Sequence, residues 1–281
     1  MWIADNWKDY EVLDSSCGEK LERWGKYILL RPDPQVLWNT PKKMPEWKKL
    51  NGHYHRSNKG GGEWEFFHLP EQWSITYGDL TFQLKPFSFK HTGLFPEQAV
   101  NWDWFREKIQ SANRPISVLN LFAYTGGATL AARAAGADVT HVDSVKQVVT
   151  WSRENMEQSA LEGVRWIVED ATKFVEREIR RGNKYHGIIL DPPAYGRGAN
   201  GEKWVLEDDI CHMLECCAQL LETKDAFLVF NLYSMGLSAT LARTAVHQAF
   251  GTPQSEQMGE LYFEDRSKKQ IPFGTYYRFR R

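Results

Sequence analysis

The sequence predicts an α/β protein in which a mostly parallel sheet carries helices on both faces, preceded by a small β-rich domain. Three observations point there. Apolar strand-like runs alternate with amphipathic helical stretches from about residue 115 onward. Residues 1–95 instead hold short aromatic strands punctuated by turn signals. A Gly-Gly turn followed by a strand ending in aspartate opens the alternating part. Such alternation demands a parallel sheet, because parallel neighbours need crossover connections.

In the first region, 1–95, "KYILLRP" reads as a strand ending at a proline, "KLNGHYH" carries the Asn51-Gly52 turn, and Gly60-Gly61-Gly62 is a flexible tip before "EWEFFHL". "SITYGDLTFQL" reads as two strands around Gly78-Asp79. Pro96 opens a connecting helix within 96–114, whose Ala99, Trp102, Phe105 and Ile109 share one face. The region 115–281 then alternates: "ISVLNLF", "GATLAARAAG", "DVTHVD", "SVKQVVTWSRENMEQS", "VRWIVED", "ATKFVEREIRRG", "YHGIILD", "VLEDDICHMLECCAQLL", "DAFLVFNLYS" and "SATLARTAVHQAF".

Bulk properties bound the function. With 281 residues, 42% hydrophobic and 25% charged, the chain has room for two modest domains and is neither disordered nor fibrous. No apolar run reaches the roughly 18 residues of a spanning helix, and the acidic start "MWIADNWKDYEVLD" is unlike a signal peptide. A cytoplasmic location and no membrane partner are expected. A net charge of -1 provides no global basic field, so any nucleic-acid contact must come from local patches. The four cysteines are too sparse for a disulfide scaffold.

Gly126 and Gly127 lie between strand "VLNLF" and helix "ATLAARAAG", where absent side chains let a ligand approach the backbone and the helix N-terminus supplies donors. Asp143 ends the next strand, the place where a doubly wound fold holds ribose hydroxyls. The turn reads A-Y-T-G-G, without the third glycine of a pyrophosphate-binding loop. S-adenosylmethionine carries no phosphate and suits this looser turn. Asp170 ends a third strand, where its carboxylate can accept from an adenine amino group and also cap the helix "ATKFVERE".

Asp191, Pro192 and Pro193 follow the fourth strand. Two prolines make a stiff rim without amide donors, at the edge where this fold presents the acceptor. Asp191 can hold the methionine end of the donor or accept a hydrogen bond from the acceptor's N–H. Tyr195 can stack on a base, Arg197 can contact phosphate, and Gly196, Gly198 and Gly201 make the rest of the loop a mobile lid. Asn231, Tyr233 and Ser234 leave the fifth strand towards the same edge.

Together "VLNLFAYTGGATLAA", "VTHVD", "WSRENM", "VEDATKF" and "IILDPPAYGRG", preceded by "HTGLFPEQAVNW", resemble the class I S-adenosylmethionine-dependent methyltransferases. They are most similar to the large-subunit ribosomal RNA group, over about residues 90–235. The resemblance implies a Rossmann-like fold with S-adenosylmethionine as methyl donor and ribosomal RNA as partner. It implies a donor pocket of Phe122, Tyr124, Thr125, Gly126 and Gly127, with Asp143 and Ser144 at the ribose and Asp170 and Ala171 at the adenine. It places Asp191, Pro192, Pro193 and Tyr195 at the methyl-transfer edge and Gln98 as a closing element over the donor.

Relatives that methylate carbon 5 of cytosine use a cysteine nucleophile, whereas here the corresponding stretches "DPPAYG" and "VFNLYSMG" have no thiol. A nitrogen acceptor on a ribosomal RNA base is therefore favoured. Rival readings are a small-molecule or protein acceptor, a non-catalytic RNA-binding protein keeping the fold, and a nicotinamide oxidoreductase.

No metal is expected: His212 and Cys216 in "CHMLECC" read as core packing, and His53 to His55 as a strand beside a turn. Lys42, Lys43, Lys48, Lys49, Arg56 and Lys59, interleaved with Trp47 and Tyr54, form a local basic and aromatic run suited to RNA. Lys268, Lys269, Arg278, Arg280 and Arg281 are expected to flank the same opening.

Overall fold

The structure, a computed structural model, describes residues 2–57, 61–87, 90–198, 201–233 and 236–281. Lys59, Gly60 and Ser234, singled out above, lie outside the described residues. The chain divides into two compact units. One comprises Ile3–Glu97 with Tyr262–Phe273, the other Gln98–Leu261 with Gly274–Arg281 and the first two residues.

The N-terminal stretch contributes β1 (Trp2–Ile3), β2 (Tyr10–Ser16), β3 (Glu19–Trp24), β4 (Tyr27–Pro32), β5 (Gly52–Arg56), β6 (Gly62–Phe66), β7 (Trp73–Tyr77) and β8 (Leu80–Leu84). Strands β2 to β6 form a five-stranded sheet in sequence order, and β7 pairs with β8 across the left-handed Gly78. Strands β2 and β3 were not anticipated, because "EKLERW" looks polar. Its charges are internal. Glu22 is fully buried, with its carboxylate 2.6 and 2.7 Å from the Arg31 guanidinium and accepting from Tyr10 Oη at 2.7 Å. Burial opposes this charge, but Arg31 and then Lys20 hold the Glu22 carboxyl down to about 2. Residues 262–273 join this unit through Ser15 Oγ donating to Asp265 (2.7 Å) and ion pairs of Lys269 with Asp14 (2.8 Å) and Arg266 with Glu11 (2.7 Å).

The second unit runs α1 (Ala99–Gln110), β9 (Ser117–Leu121), α2 (Gly127–Ala134), β10 (Asp138–Asp143), α3 (Lys146–Gln158), β11 (Val164–Val168), α4 (Ala171–Arg180) and β12 (Gly187–Leu190). It continues with β13 (Tyr195–Arg197), β14 (Lys203–Val205), α5 (Leu206–Leu220), β15 (Phe227–Leu232) and α6 (Ala239–Phe250), and with the parts up to Leu261 and from Gly274 of β16 (Ser255–Glu264) and β17 (Gln270–Arg280). The main sheet has the order β1-β16-β17-β15-β12-β9-β10-β11. Strands β15, β12, β9, β10 and β11 are parallel, and β17 lies antiparallel to β15. This is the expected Rossmann-like architecture, with an antiparallel hairpin that the sequence reading did not include. The predicted face of α1 is buried through Ala99, Trp102, Phe105 and Ile109. The core between sheet and helices is built from side chains such as Leu119, Leu190, Phe174, Met213 and Phe230.

The chain leaves β9 towards β10 and β11 on one side, then returns to place β12 on the other side of β9. Between β9 and β12 the winding reverses, and a crevice opens beyond the carboxyl ends of the strands.

Candidate functional site

Parallel register aligns the strand tips into one row. Val142, Leu121, Leu190 and Phe230 are neighbours across β10, β9, β12 and β15. The residues one step further are Asp143, Phe122, Asp191 and Asn231. Asp143 pairs in register with Val168, two residues before Asp170. The sequence-predicted residues of the four strand ends thus share one edge, on either side of the winding reversal.

The turn from β9 into α2 is conformationally demanding. Phe122 (φ 54°) and Tyr124 (φ 49°) occupy the left-handed region, as does Gly126 (φ 88°). Non-glycine residues there cost free energy and persist only where surroundings hold them. Here the Tyr124 amide donates to Asp143 Oδ2 (2.9 Å), its carbonyl accepts from Ser152 Oγ (2.7 Å), and the Thr125 carbonyl accepts from Asn155 Nδ2 (2.9 Å). Ser152 and Asn155, both fully buried on α3, were missed by sequence reasoning, although their three-residue spacing in "WSRENM" puts them on one helix face.

The glycines have a packing role. A Cβ on Gly127 would lie 2.6 Å from Cζ2 of the buried Trp102, and one on Gly126 would meet Leu130 at 3.0 Å and Ser152 at 3.2 Å. Their smallness admits α1 and α3 to the turn. The α2 N-terminus, meanwhile, has no side-chain cap, which leaves its first-turn amides without a side-chain acceptor.

Asp143 is the electrostatic centre. Its Oδ1 accepts from the Val145 amide and Oδ2 from the Tyr124 amide, both at 2.9 Å. Burial raises its carboxyl above the ordinary range, opposed by these amides and that of Ser144. A carboxylate has about four lone-pair sites, so beside these amides it can still accept a hydroxyl. Asp170 caps α4, its Oδ1 accepting from the Lys173 amide at 3.0 Å, and the following Ala171 is buried. Phe122 packs its ring on Trp204, 4.8 Å between centroids.

The segment after Asp191, expected from its glycines to be a mobile lid, carries a short two-stranded ladder. Tyr195 to Arg197 pair antiparallel with Lys203 to Val205, because Trp204 Nε1 donates to the Pro193 carbonyl (2.7 Å) and the Leu206 amide to that of Ala194 (3.0 Å). Pro192 is buried and Pro193 exposed, and Tyr195 is half exposed with its hydroxyl accepting from Arg197 Nε (2.8 Å).

At the far end, Gln98 joins a buried amide network. Its Oε1 accepts from Asn101 (3.0 Å) and Asn231 (3.1 Å), and its Nε2 donates to the Tyr233 hydroxyl at 2.5 Å. Asn101 Nδ2 also donates to Asn231 Oδ1 (3.0 Å), while its Oδ1 accepts from Arg278 (3.1 Å). Arg278, expected on a basic surface, is 1% exposed and ringed by Trp104, Tyr276 and Trp2. Burial lowers its guanidinium to about 10. Lys268 and Lys269 belong to the other unit. Asn101 could have been noticed three residues after Gln98; nothing local flags Arg278.

Cys216 and Cys217 are core residues whose thiols burial pushes up, but His212, read from the sequence as core packing with Cys216, is exposed, because its position on α5 points away from the core. Cys216 Sγ lies 3.7 Å from His212, whose ring also reaches Glu176 at 3.2 Å.

Comparison with known proteins identifies the family. The family model described as S-adenosylmethionine-dependent methyltransferase matches residues 43–249. A crystal structure of a SAM-dependent methyltransferase from Agrobacterium tumefaciens is 36% identical, with a TM-score of 0.94, covering 99% of this chain and 92% of that one. The "Ribosomal RNA large subunit methyltransferase K/L" of Shewanella frigidimarina is 30% identical over 154 residues, 53% of this chain and 21% of the relative. That of Syntrophotalea carbinolica is 29% identical over 181 residues, 63% of this chain and 24% of the relative. The chain thus spans less than a quarter of these two relatives' length. A match to the family model over most of the chain, with the Agrobacterium fold reproduced end to end, means that this protein belongs to the S-adenosylmethionine-dependent methyltransferases and takes S-adenosylmethionine as its methyl donor.

Proposed function

We propose that the enzyme methylates a nitrogen of a ribosomal RNA base at the crevice between β9 and β12. The observation that carries this reading is the row of strand tips Asp143, Phe122, Asp191 and Asn231 across the winding reversal. The donor supplies an electrophilic methyl group on a sulfonium. Asp143 accepts a ribose hydroxyl with Ser144 beside it, and the free edge of Asp170 takes the adenine amine with Ala171 beneath. The uncapped α2 amides face the donor's carboxylate, while Gln98 closes over it from the start of α1.

Asp191 orients the acceptor's N–H or takes its proton, Pro192 and Pro193 keep that edge rigid, and Tyr195 stacks on the base. None of the four cysteines lies in the segments leaving β9, β10, β11, β12 or β15, so covalent activation of a ring carbon has no nucleophile. A nitrogen acceptor needs none.

The RNA assignment rests on the names of the curated relatives and on the N-terminal unit. Lys42, Lys43, Lys48, Lys49 and Arg56 are exposed there. Tyr54 is buried, and Trp47 is occupied by Asp14 at its N–H and Lys42 over its ring, so neither offers a free face. Phe66 and Phe67, 53% and 38% exposed, take that stacking role. The same substrate class supports a cytoplasmic location, and among the described residues no helix is long and apolar enough to cross a membrane.

Mass spectrometry of digested ribosomal RNA from cells with and without the gene should reveal one methylated base, lost again in Asp191→Ala. An unchanged modification profile would favour a small-molecule or protein acceptor. Binding of the RNA should weaken steeply with salt, because phosphate contacts release counterions.

A further inference from the structure

We propose that His53, His55 and Glu65 form a binding site for a divalent transition-metal ion of the zinc class on the N-terminal unit. Strand alternation carries the geometry. His53 and His55 are two apart on β5, so their side chains leave the same face of the sheet, while the intervening Tyr54 is buried on the other. The antiparallel partner β6 sets Glu65 directly opposite His53. The imidazole rings lie 3.8 Å apart between centroids, and one donor atom from each of the three residues falls within 4.8 Å of the others. Among the described residues, no other three His, Cys, Asp or Glu side chains bring their donor atoms this close.

The carboxylates are already engaged with the imidazoles. Glu65 Oε2 is 2.9 Å from His55 Nε2, and Glu19 Oε1 on β3 is 3.0 Å from His53 Nε2. Glu19 is itself anchored by Lys42 at 2.7 Å, so it can serve as a fourth ligand or hold His53 in place. Bonds of about 2.0–2.2 Å to nitrogen and oxygen require donor atoms a little over about 3 Å apart in a tetrahedral site. Closing from 4.8 Å asks for rotations of His55 and Glu65, whose side chains are 46% and 53% exposed. Two imidazoles with one carboxylate suit zinc and its neighbours; calcium and magnesium prefer all-oxygen sets. The sequence reading of "HYH" as a strand is correct, yet the third ligand arrives from the opposite arm of a hairpin.

The test uses the full chain stripped with a chelator, titrated with zinc chloride against a chromophoric competitor. One equivalent should bind, with affinity falling at least about tenfold in each of His55→Ala and Glu65→Gln. Zinc should also raise the melting temperature of the starting protein and not of the variants, since only binding to the folded state stabilises it. Cobalt substitution should show no thiolate charge-transfer band. The proposal is overturned by the absence of saturable binding, by unchanged affinity in the double variant His53→Ala/His55→Ala, or by a thiolate band that moves the metal to a cysteine.

Discussion

Replacing Gly127 with alanine separates two reasons for a glycine at the turn, ligand approach and helix packing. The added Cβ would sit 2.6 Å from Trp102 Cζ2 and 3.2 Å from Cη2, and Trp102 is only 2% exposed on α1. A contact that short forces movement, and a buried indole has nowhere to go. Overpacking of this kind costs about 1–3 kcal/mol. Alanine's helix propensity returns at most about 1 kcal/mol, less in a first turn. The net loss is about 1–2 kcal/mol, which for a unit of this size lowers the melting temperature by about 2–8 °C. The assay is thermal unfolding of Gly127→Ala, Trp102→Phe and the double variant. A phenyl ring lacks the clashing atoms, so the double variant should be more stable than the sum of the two changes allows. S-adenosylhomocysteine affinity at saturating folded protein should stay within a few-fold. Should Gly127→Ala melt at the original temperature and bind S-adenosylhomocysteine at least about tenfold more weakly, the packing argument is wrong and the glycine serves the ligand.

Three further outcomes are expected. Burial, with Arg153 adding to it, holds His141 down to about 3, so protonation favours the unfolded chain; stability is full above pH 6.5 and falls on acidification towards pH 3 by up to about 1.4 kcal/mol per pH unit, a slope that His141→Gln should flatten in urea titrations. Asp143 is shifted the other way: its folded carboxyl titrates above the ordinary aspartate value, so its stabilising effect is present below pH 3.8 and lost as pH rises, whereas donor binding needs the charged form. Calorimetry should therefore show S-adenosylhomocysteine affinity failing at a higher pH than an ordinary aspartate would give, and Asp143→Asn binding at least about tenfold more weakly at neutral pH. Glu22→Gln leaves Arg31 buried without its ion-pair partner and should cost about 3–5 kcal/mol in denaturant unfolding. Its loss should mimic acidification of the starting protein, whose Glu22 contribution is full above pH 4.5 and disappears as pH falls towards 2.

The sequence by itself determined the alternation of strands and helices from β9 to α6 and the residues at the ends of those strands. Alternating apolar segments prescribe the parallel sheet, and Asp143, Asp170 and Asp191 each close a strand, so their common edge follows once the strands are parallel. The capping role of Asp170 was equally legible, because a cap involves residues three apart. Only the tertiary structure decided which charges are internal and which segments meet. Glu22, Lys20 and Arg31 look like surface residues until the hairpin of β3 and β4 brings them together in the interior. Residues 262–273 join a sheet encoded some 250 positions earlier through pairs such as Ser15 with Asp265. Arg278 leaves the basic surface for an amide network, and a glycine-rich stretch becomes a hairpin because Trp204 reaches the Pro193 carbonyl. Periodicity reports which way a side chain points from its own backbone; the partner that satisfies or buries it comes from elsewhere in the chain, and that pairing is a property of the packed state.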